Sequence, residues 1–373
     1  MEGQVRILIC DDSRLMRQLL AKMLESDSSF LVVGEADSGE GCLDEIPRCR
    51  PDVVLLDLGL PGLNGIECLK LARERQLDAA FLIVSANAQK DAPVTLEALT
   101  EGALDYVTKA RGMLQMGEIQ ASVLAKIRDA YQVQLQRRKV TTGPAAGPAG
   151  AGPPAAPPSA PRPTPPEAPA EASPTAPVAP GPATQSRVRL TVVGGSSGCV
   201  QVLPTLFSKL PGQLRGTMIL VLKLPQFLTR QIPTQYGRLC KIALAEAADG
   251  QPLTTDRIYI VPGGSGDLIL EKDKATGRIV FRSVEVSKNP GEAPSIDALM
   301  SSAANLFKDR CRGILVSGTG TDGVRGLASI LEVQGETVVQ DRASAIAPQL
   351  PLAALEADVA GKVLTIPEIA ALW

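Results

Sequence analysis

Between Gly143 and Ala183 the chain cannot build a core, because 33 of these 41 residues are Pro, Ala or Gly. A segment with so little to bury cannot offset its conformational entropy on folding. It holds fifteen of the thirty prolines, which predicts a semi-rigid polyproline tether reaching at most ~3.1 Å per residue. The 373 residues are thereby cut into two lengths of ordinary domain size. The expected division is a first domain over 1–138, a Pro/Ala-rich linker over 139–186 and a second domain over 187–373. A spacer role is expected for the linker, with a proline-motif ligand as the other reading.

Both flanks alternate apolar runs with amphipathic stretches. In the first, Val5–Cys10, Leu31–Ala36, Val53–Asp57, Phe81–Ser85 and Tyr106–Thr108 read as buried strands. Helical patterns fall at Ser13–Glu25, Gly39–Ile46, Gly65–Arg75, Val94–Glu101 and Leu114–Arg137. In the second flank, strands are expected at Arg189–Val193, Met218–Lys223, Ile258–Val261, Gly313–Val316 and Thr337–Gln340. Helices are expected at Gly198–Lys209, Gln226–Tyr236, Ser295–Phe307 and Gly323–Glu332, and a hairpin at Leu268–Lys272 with Ile279–Arg282. Such alternation predicts two α/β, doubly wound, mainly parallel-sheet domains, the second with an antiparallel insertion.

The chain has no histidine. That excludes a Ser-His or Cys-His pair, a His-ligated zinc and a histidine pH switch. The seven cysteines are scattered, with no C-x-x-C, which suits reduced thiols better than a disulfide framework or a zinc site. Neither a signal-peptide pattern nor an apolar run of membrane-spanning length is seen, so a cytoplasmic protein without membrane insertion is expected. A net charge of −2 gives no general reason to expect nucleic acid. The second flank, at +3 from 20 basic and 17 acidic residues, shows no helix-turn-helix pattern for a DNA-binding output.

In parallel α/β sheets, ligands gather at the carboxyl ends of the strands. Asp11 and Asp12 close the first strand and Asp57 the third, Ser85 ends the fourth, and Lys109 follows the fifth. Converging carboxylates repel unless a cation sits among them, and Mg²⁺ is the natural oxygen-loving occupant. Together with a hydroxyl and a lysine, the set suits a phosphoryl group on a carboxylate. Each residue alone fits a blander role, such as Asp12 or Ser13 capping the first helix.

In the second flank, Gly194-Gly195-Ser196-Ser197-Gly198 follows an apolar strand and precedes a helix. It fits G-x-S-x-G, a turn that presents a serine hydroxyl, although a helix cap would use the same residues. Gly318, Gly320 and Gly323 also fit a dinucleotide fingerprint, with Asp341 18 residues past Gly323. Asp322 inside that turn would face a pyrophosphate unfavourably, which ranks nicotinamide binding low.

The stretches Ile9-Cys-Asp-Asp-Ser-Arg, Val53-Val-Leu-Leu-Asp-Leu-Gly, Ile83-Val-Ser-Ala and Gly102-Ala-Leu-Asp-Tyr-Val-Thr-Lys resemble the receiver domain of bacterial response regulators, a flavodoxin-like fold. The resemblance implies that Asp57 accepts phosphate from a histidine kinase. It implies that Asp11, Asp12, Asp57 and the Gly59 carbonyl hold Mg²⁺. Ser85 and Tyr106 would be the switch pair, with Lys109 meeting the phosphate. Ala110 departs from the family's proline, and Leu60 from a common methionine.

A receiver followed by a linker and then Gly-x-Ser-x-Gly resembles the CheB family of chemotaxis protein-glutamate methylesterases. Val221-Leu-Lys-Leu-Pro, Arg257-Ile-Tyr-Ile-Val-Pro-Gly, Ala293-Pro-Ser-Ile-Asp and Gly318-Thr-Gly-Thr-Asp-Gly extend it. The family's serine, histidine and aspartate hydrolyse methyl esters on methyl-accepting chemoreceptors and deamidate some of their glutamines. Ser196 falls on the nucleophile and Asp322 on the orienting acid, while the histidine position holds Lys223. Cys199, Thr319, Arg342 and Glu292 are further departures. A lysine base must be neutral, and bringing it from ~10.4 to ~7 takes about 4.6 kcal/mol. An anion near ~4 Å opposes that by roughly 4 kcal/mol. The expectation is that Lys223 and Asp322 form a structural ion pair and that triad hydrolysis is lost or impaired. A working Ser-Lys esterase is the other reading. A non-catalytic binder, or phosphate sink competing for the kinase or receptor, is the alternative function.

Overall fold

A computed structural model describes residues 4–85, 92–108, 116–142, 190–264, 266–285 and 293–373. The Gly143–Ala183 segment, Lys109 and Glu292 lie outside the described residues.

The first domain is a five-stranded parallel sheet, β1 (Val5–Cys10), β2 (Phe30–Ala36), β3 (Val53–Asp57), β4 (Ala80–Ser85) and β5 (Asp105–Thr108), in spatial order 2-1-3-4-5. Its helices are α1 (Arg14–Glu25), α2 (Gly39–Cys49), α3 (Gly65–Glu74), α4 (Ala92–Glu101) and α5 (Met116–Thr142). The central strands are apolar on both faces, Val53–Leu56 being fully buried, as helices covering both sides of a parallel sheet require. Caps set the helix starts: Ser13 accepts from Met16 N on α1, and Asn64 with Glu67 closes a capping box on α3. Helix α5 continues through Thr142, into the first four residues of the expected linker. Lys139-Val-Thr-Thr contains no breaker, and the stop signal arrives only with Gly143-Pro144.

The second domain is a seven-stranded parallel sheet in the order β14-β13-β12-β6-β7-β9-β8. Its strands are β6 (Leu190–Gly195), β7 (Thr217–Leu222), β8 (Leu244–Glu246), β9 (Arg257–Ile260), β12 (Cys311–Leu315), β13 (Glu336–Gln340) and β14 (Lys362–Leu364). The hairpin β10 (Asp267–Lys272) with β11 (Ile279–Val284) is antiparallel and forms its own small sheet. Helices are α6 (Leu203–Lys209), α7 (Gln226–Thr229), α8 (Ile232–Tyr236), α9 (Ile296–Phe307), α10 (Val324–Glu332), α11 (Gln349–Glu356) and α12 (Ile366–Ala370). The helix expected over Gln226–Tyr236 is two short ones, because Pro233 enters the first turn of α8. That expected from Gly198 begins as a 3-10 turn over Cys199–Val202. Strands β8 and β14, only three residues each, carry too short a pattern to read in sequence.

The two domains pack against each other. Leu96 and Leu99 of α4 share one apolar cluster with Val200, Leu203, Leu228 and Tyr236. Thr100 Oγ1 lies 2.5 Å from the Tyr236 hydroxyl, and burial pushes that phenol up to about 12. Tyr106 meets Phe227 edge to face at 5.8 Å between centroids, a favoured aromatic geometry.

Candidate functional site

Two sets of polar groups sit at the carboxyl ends of the two sheets, each where the strand order reverses. In the first domain, β1 and β3 are adjacent and the chain winds outward from them in both directions. Carboxylate oxygens of Asp11, Asp12 and Asp57, at the ends of those strands, all lie within 4.8 Å of one another. Asp11 is buried, Asp57 half-buried and Asp12 exposed, so the cluster opens toward solvent on one side. Three oxygen donors at that spacing fit a hard divalent cation. Gly59 lies beside it, a Cβ there falling 3.8 Å from Asp57 Oδ2. Ser85 is buried at the end of β4, one strand over from Asp57. Tyr106, on the neighbouring β5, pairs with Ile83 of β4. The structure thus brings Asp11, Asp12, Asp57, Gly59 and Ser85 to one sheet edge, with Tyr106 on the adjoining strand.

Tyr106 is held from two sides. Lys126 of α5 donates to Asp105 Oδ1 and to the Tyr106 carbonyl, each at 2.7 Å, and its Nζ stands 4.4 Å from the Tyr106 ring centroid. Phe227 of the second domain closes the ring's other approach. Burial, with the Asp105 charge adding to it, pushes the Tyr106 phenol well above its ordinary value.

In the second domain the reversal is at β6, between β12 and β7. The loops after β12, β6 and β7 carry Asp322, Ser196 and Lys223 respectively, so three neighbouring strands deliver the three residues to one edge. Gly198, in the left-handed region at φ 75°, turns the chain sharply after Ser196. Gly318 lets the opposite loop close on it, since a Cβ there would stand 2.6 Å from Ser196 Oγ. Of the three glycines with dinucleotide-like spacing, only Gly318 faces the serine; Gly320 and Gly323 take positive φ, 79° and 114°, in the turn that leads into α10.

Ser196 and Lys223 bond to different partners. Lys223 Nζ donates to Asp322 Oδ2 at 2.7 Å, each side chain about a fifth exposed. Ser196 Oγ accepts from Thr319 N at 2.8 Å and donates to Thr319 O at 3.0 Å, so its proton points at a carbonyl. Asp322 is clamped independently of the lysine. It accepts from Ile296 N at 3.1 Å, Asp297 N at 2.9 Å and Ser295 Oγ at 3.4 Å, placing a carboxylate at the positive end of α9. Asp297 reciprocates, taking the Gly323 and Gly326 amides at 2.8 and 2.7 Å and Arg325 at 2.9 Å. Two helices therefore cap each other's acids. The expected Lys223–Asp322 ion pair is present.

A cleft of about 930 Å³ lies between the domains, lined by Ser196, Lys223, Asp322 and Arg325 from one and by Lys126 and Asp129 from the other. Sequence reasoning missed Asp105, Ser197, Phe227 and Asp297. Of these only Asp297 carried a local signal, the Ser-x-Asp start of α9. The others matter through contacts across more than ninety residues.

A family model described as CheB methylesterase matches residues 191–372, and one described as response regulator receiver domain matches residues 7–120. A protein-glutamate methylesterase/protein-glutamine glutaminase 2 of Koribacter versatilis is 30% identical over 97% of this chain and 93% of its own length. The protein-glutamate methylesterase/protein-glutamine glutaminase of Pyrococcus horikoshii is 28% identical over 99% and 92%. Among solved structures, the CheB methylesterase catalytic domain of Thermotoga maritima covers 49% of this chain and 96% of its own. There the identity is 22% and the TM-score 0.47.

Proposed function

The chain belongs to the CheB methylesterase family, and on that premise we propose that it is a phosphorylation-controlled chemosensory response regulator whose ester hydrolysis is impaired at Lys223. The single observation that carries the impairment is the Lys223–Asp322 pair at 2.7 Å beside a serine whose proton is committed to Thr319 O. The partners in this reading are a chemotaxis histidine kinase and methyl-accepting chemoreceptors. Its location is the cytoplasm, consistent with the absence, among the described residues, of a helix able to cross a membrane.

In the receiver, Asp57 is the phosphoacceptor. A bond forms from its carboxylate oxygen to phosphorus as the donor's P–N bond breaks, and the leaving imidazole departs with the kinase. Asp11, Asp12, Asp57 and the Gly59 carbonyl would hold Mg²⁺, whose charge, when bound, offsets that of the phosphoryl oxygens. Ser85 would bond a phosphoryl oxygen, and Lys109 would meet another. Tyr106, packed on Phe227, connects that event to the domain contact. A shift of the receiver on the Ser196 face is then the output, a switch by domain rearrangement.

In the esterase domain, Ser196 Oγ must lose its proton to attack a methyl ester. Lys223 cannot take it while its own protons bond Asp322. An acid cluster in the receiver together with a blocked serine in the other domain also supports the second reading, a phosphate-responsive binder or phosphate sink competing for the kinase or receptor. Two assays test the proposal together. A small acyl-phosphate donor should label the chain, and Asp57→Ala should abolish labelling. Methanol release from methylated receptor should be slow and lost in Ser196→Ala. Undiminished labelling of Asp57→Ala would overturn the receiver site. Release at an unimpaired rate would overturn the role given to Lys223, and none at all would favour the binder.

A further inference from the structure

The receiver does more than stand over the serine. Three consecutive residues leading into β5 bond to the turn that carries it. The Ala103 carbonyl accepts from Gln201 Nε2 at 3.0 Å, and the Leu104 carbonyl accepts from Gly198 N at 3.2 Å. Asp105 Oδ2 accepts from Ser197 Oγ at 3.3 Å. Ser197 Oγ also lies 3.3 Å from Thr319 Oγ1, and Thr319 is the residue whose backbone brackets Ser196 Oγ. Hydrogen bonds therefore run from the receiver through Ser197 to the residue that fixes the serine's proton. At its other oxygen Asp105 takes Lys126 Nζ, the cation resting on Tyr106, so one carboxylate touches both the switch aromatic and the serine turn.

We propose that Asp105 is a positioning residue for the serine turn: with the receiver docked it holds Ser197, and through Thr319 it sets the hydrogen bonding of Ser196. Within its own domain the turn is tied by Ser196 N to Ser317 O, Cys199 N to Ser196 O, Gln201 N to Gly198 O and Ser317 Oγ to Ser197 O, whereas Gly198 N and the Ser197 hydroxyl bond across the interface. Undocking therefore loosens the turn as well as uncovering it. This rests on Ser196 being the esterase-type serine, yet its test needs no turnover, so its failure and failure of the hydrolase reading are separable.

The test is amide hydrogen exchange on the full chain, read at residues 196–201 and, as a docking control, at 96–101 and 226–236. Asp105→Ala and Ser197→Ala should each speed exchange at 196–201 about tenfold, the loss of one charge-assisted hydrogen bond. Asp105→Asn keeps an acceptor oxygen toward Ser197 and should stay within about twofold of the parent. The double variant should be no faster than either single, because both remove the same bond. The control segments should stay unchanged. The proposal is overturned if neither single variant moves 196–201, if the two effects multiply, or if the control segments speed up equally, which would mean simple undocking.

Discussion

Replacing Lys223 by histidine should turn this domain into a working hydrolase. At 2.7 Å and an effective dielectric of about 20, an ammonium and a carboxylate attract by about 6 kcal/mol. Using Nζ as a base forfeits that attraction, and at 1.36 kcal/mol per factor of ten the gross loss is about four decades in rate. An imidazole reverses the logic, because it is neutral near pH 7 and donates one N–H to the acid while its other nitrogen accepts from serine. Asp322 needs no rebuilding, since Ile296 N, Asp297 N and Ser295 Oγ hold it without help from residue 223. Methanol release from methylated receptor, with the chain treated with a small phosphodonor, should rise at least ~100-fold in Lys223→His, the usual scale of general-base catalysis. The gain should vanish in Lys223→His/Ser196→Ala. Parent turnover that depends on Ser196 and falls in Lys223→His would refute the reasoning, because the lysine would then be the base.

Other outcomes follow from the same contacts. Chelating divalent cations should suppress phosphodonor labelling of Asp57, and labelling that persists at full rate in excess chelator would remove the metal from the Asp11–Asp12–Asp57 cluster. Phe227→Ala should weaken domain docking by about 1 kcal/mol, the increment of an aromatic pair, and small-angle scattering should show a larger radius of gyration without phosphodonor. Gly318→Ala drives a methyl to 2.6 Å from Ser196 Oγ and 2.8 Å from Leu350 Cδ2, so denaturant unfolding should show a loss of about 1–3 kcal/mol. Burial raises the Glu336 carboxyl, but its hydrogen bond from Lys362 and the adjacent Arg312 outweigh this and leave it below its ordinary 4.5. A carboxyl lowered by folding contributes stability that is present above its unfolded value and lost as pH falls through the folded one. Glu336→Gln should thus lower the melting temperature at neutral pH and lower it less at about pH 3; equal losses at both would remove the linkage.

The sequence by itself determined the local and periodic features. Apolar runs, nearly all of them four to six residues long, read as strands buried on both faces, and the amphipathic stretches between them as crossover helices, so both parallel sheets were legible. The acids after β1 and β3 and the serine after β6 were legible because strand ends define where ligands go, and the resemblance to the CheB family turned the absence of histidine into an expectation at Lys223. Short elements such as β8, β14 and α12 were not legible, since three to five residues carry too little period to stand out. Tertiary structure alone decided which charges meet. Nothing near Asp322 in the chain says that its carboxylate ends at the start of α9, or that Asp297 answers it at α10. Nor does any local pattern say that Asp105 reaches Ser197 or that Tyr106 rests on Phe227, pairs separated by 92 and 121 residues. Periodicity reports which face of an element avoids water, a property of each residue and its near neighbours. The partner of a polar group is set by how whole sheets and helices pack, and here that packing joins a receiver domain to the turn of a serine.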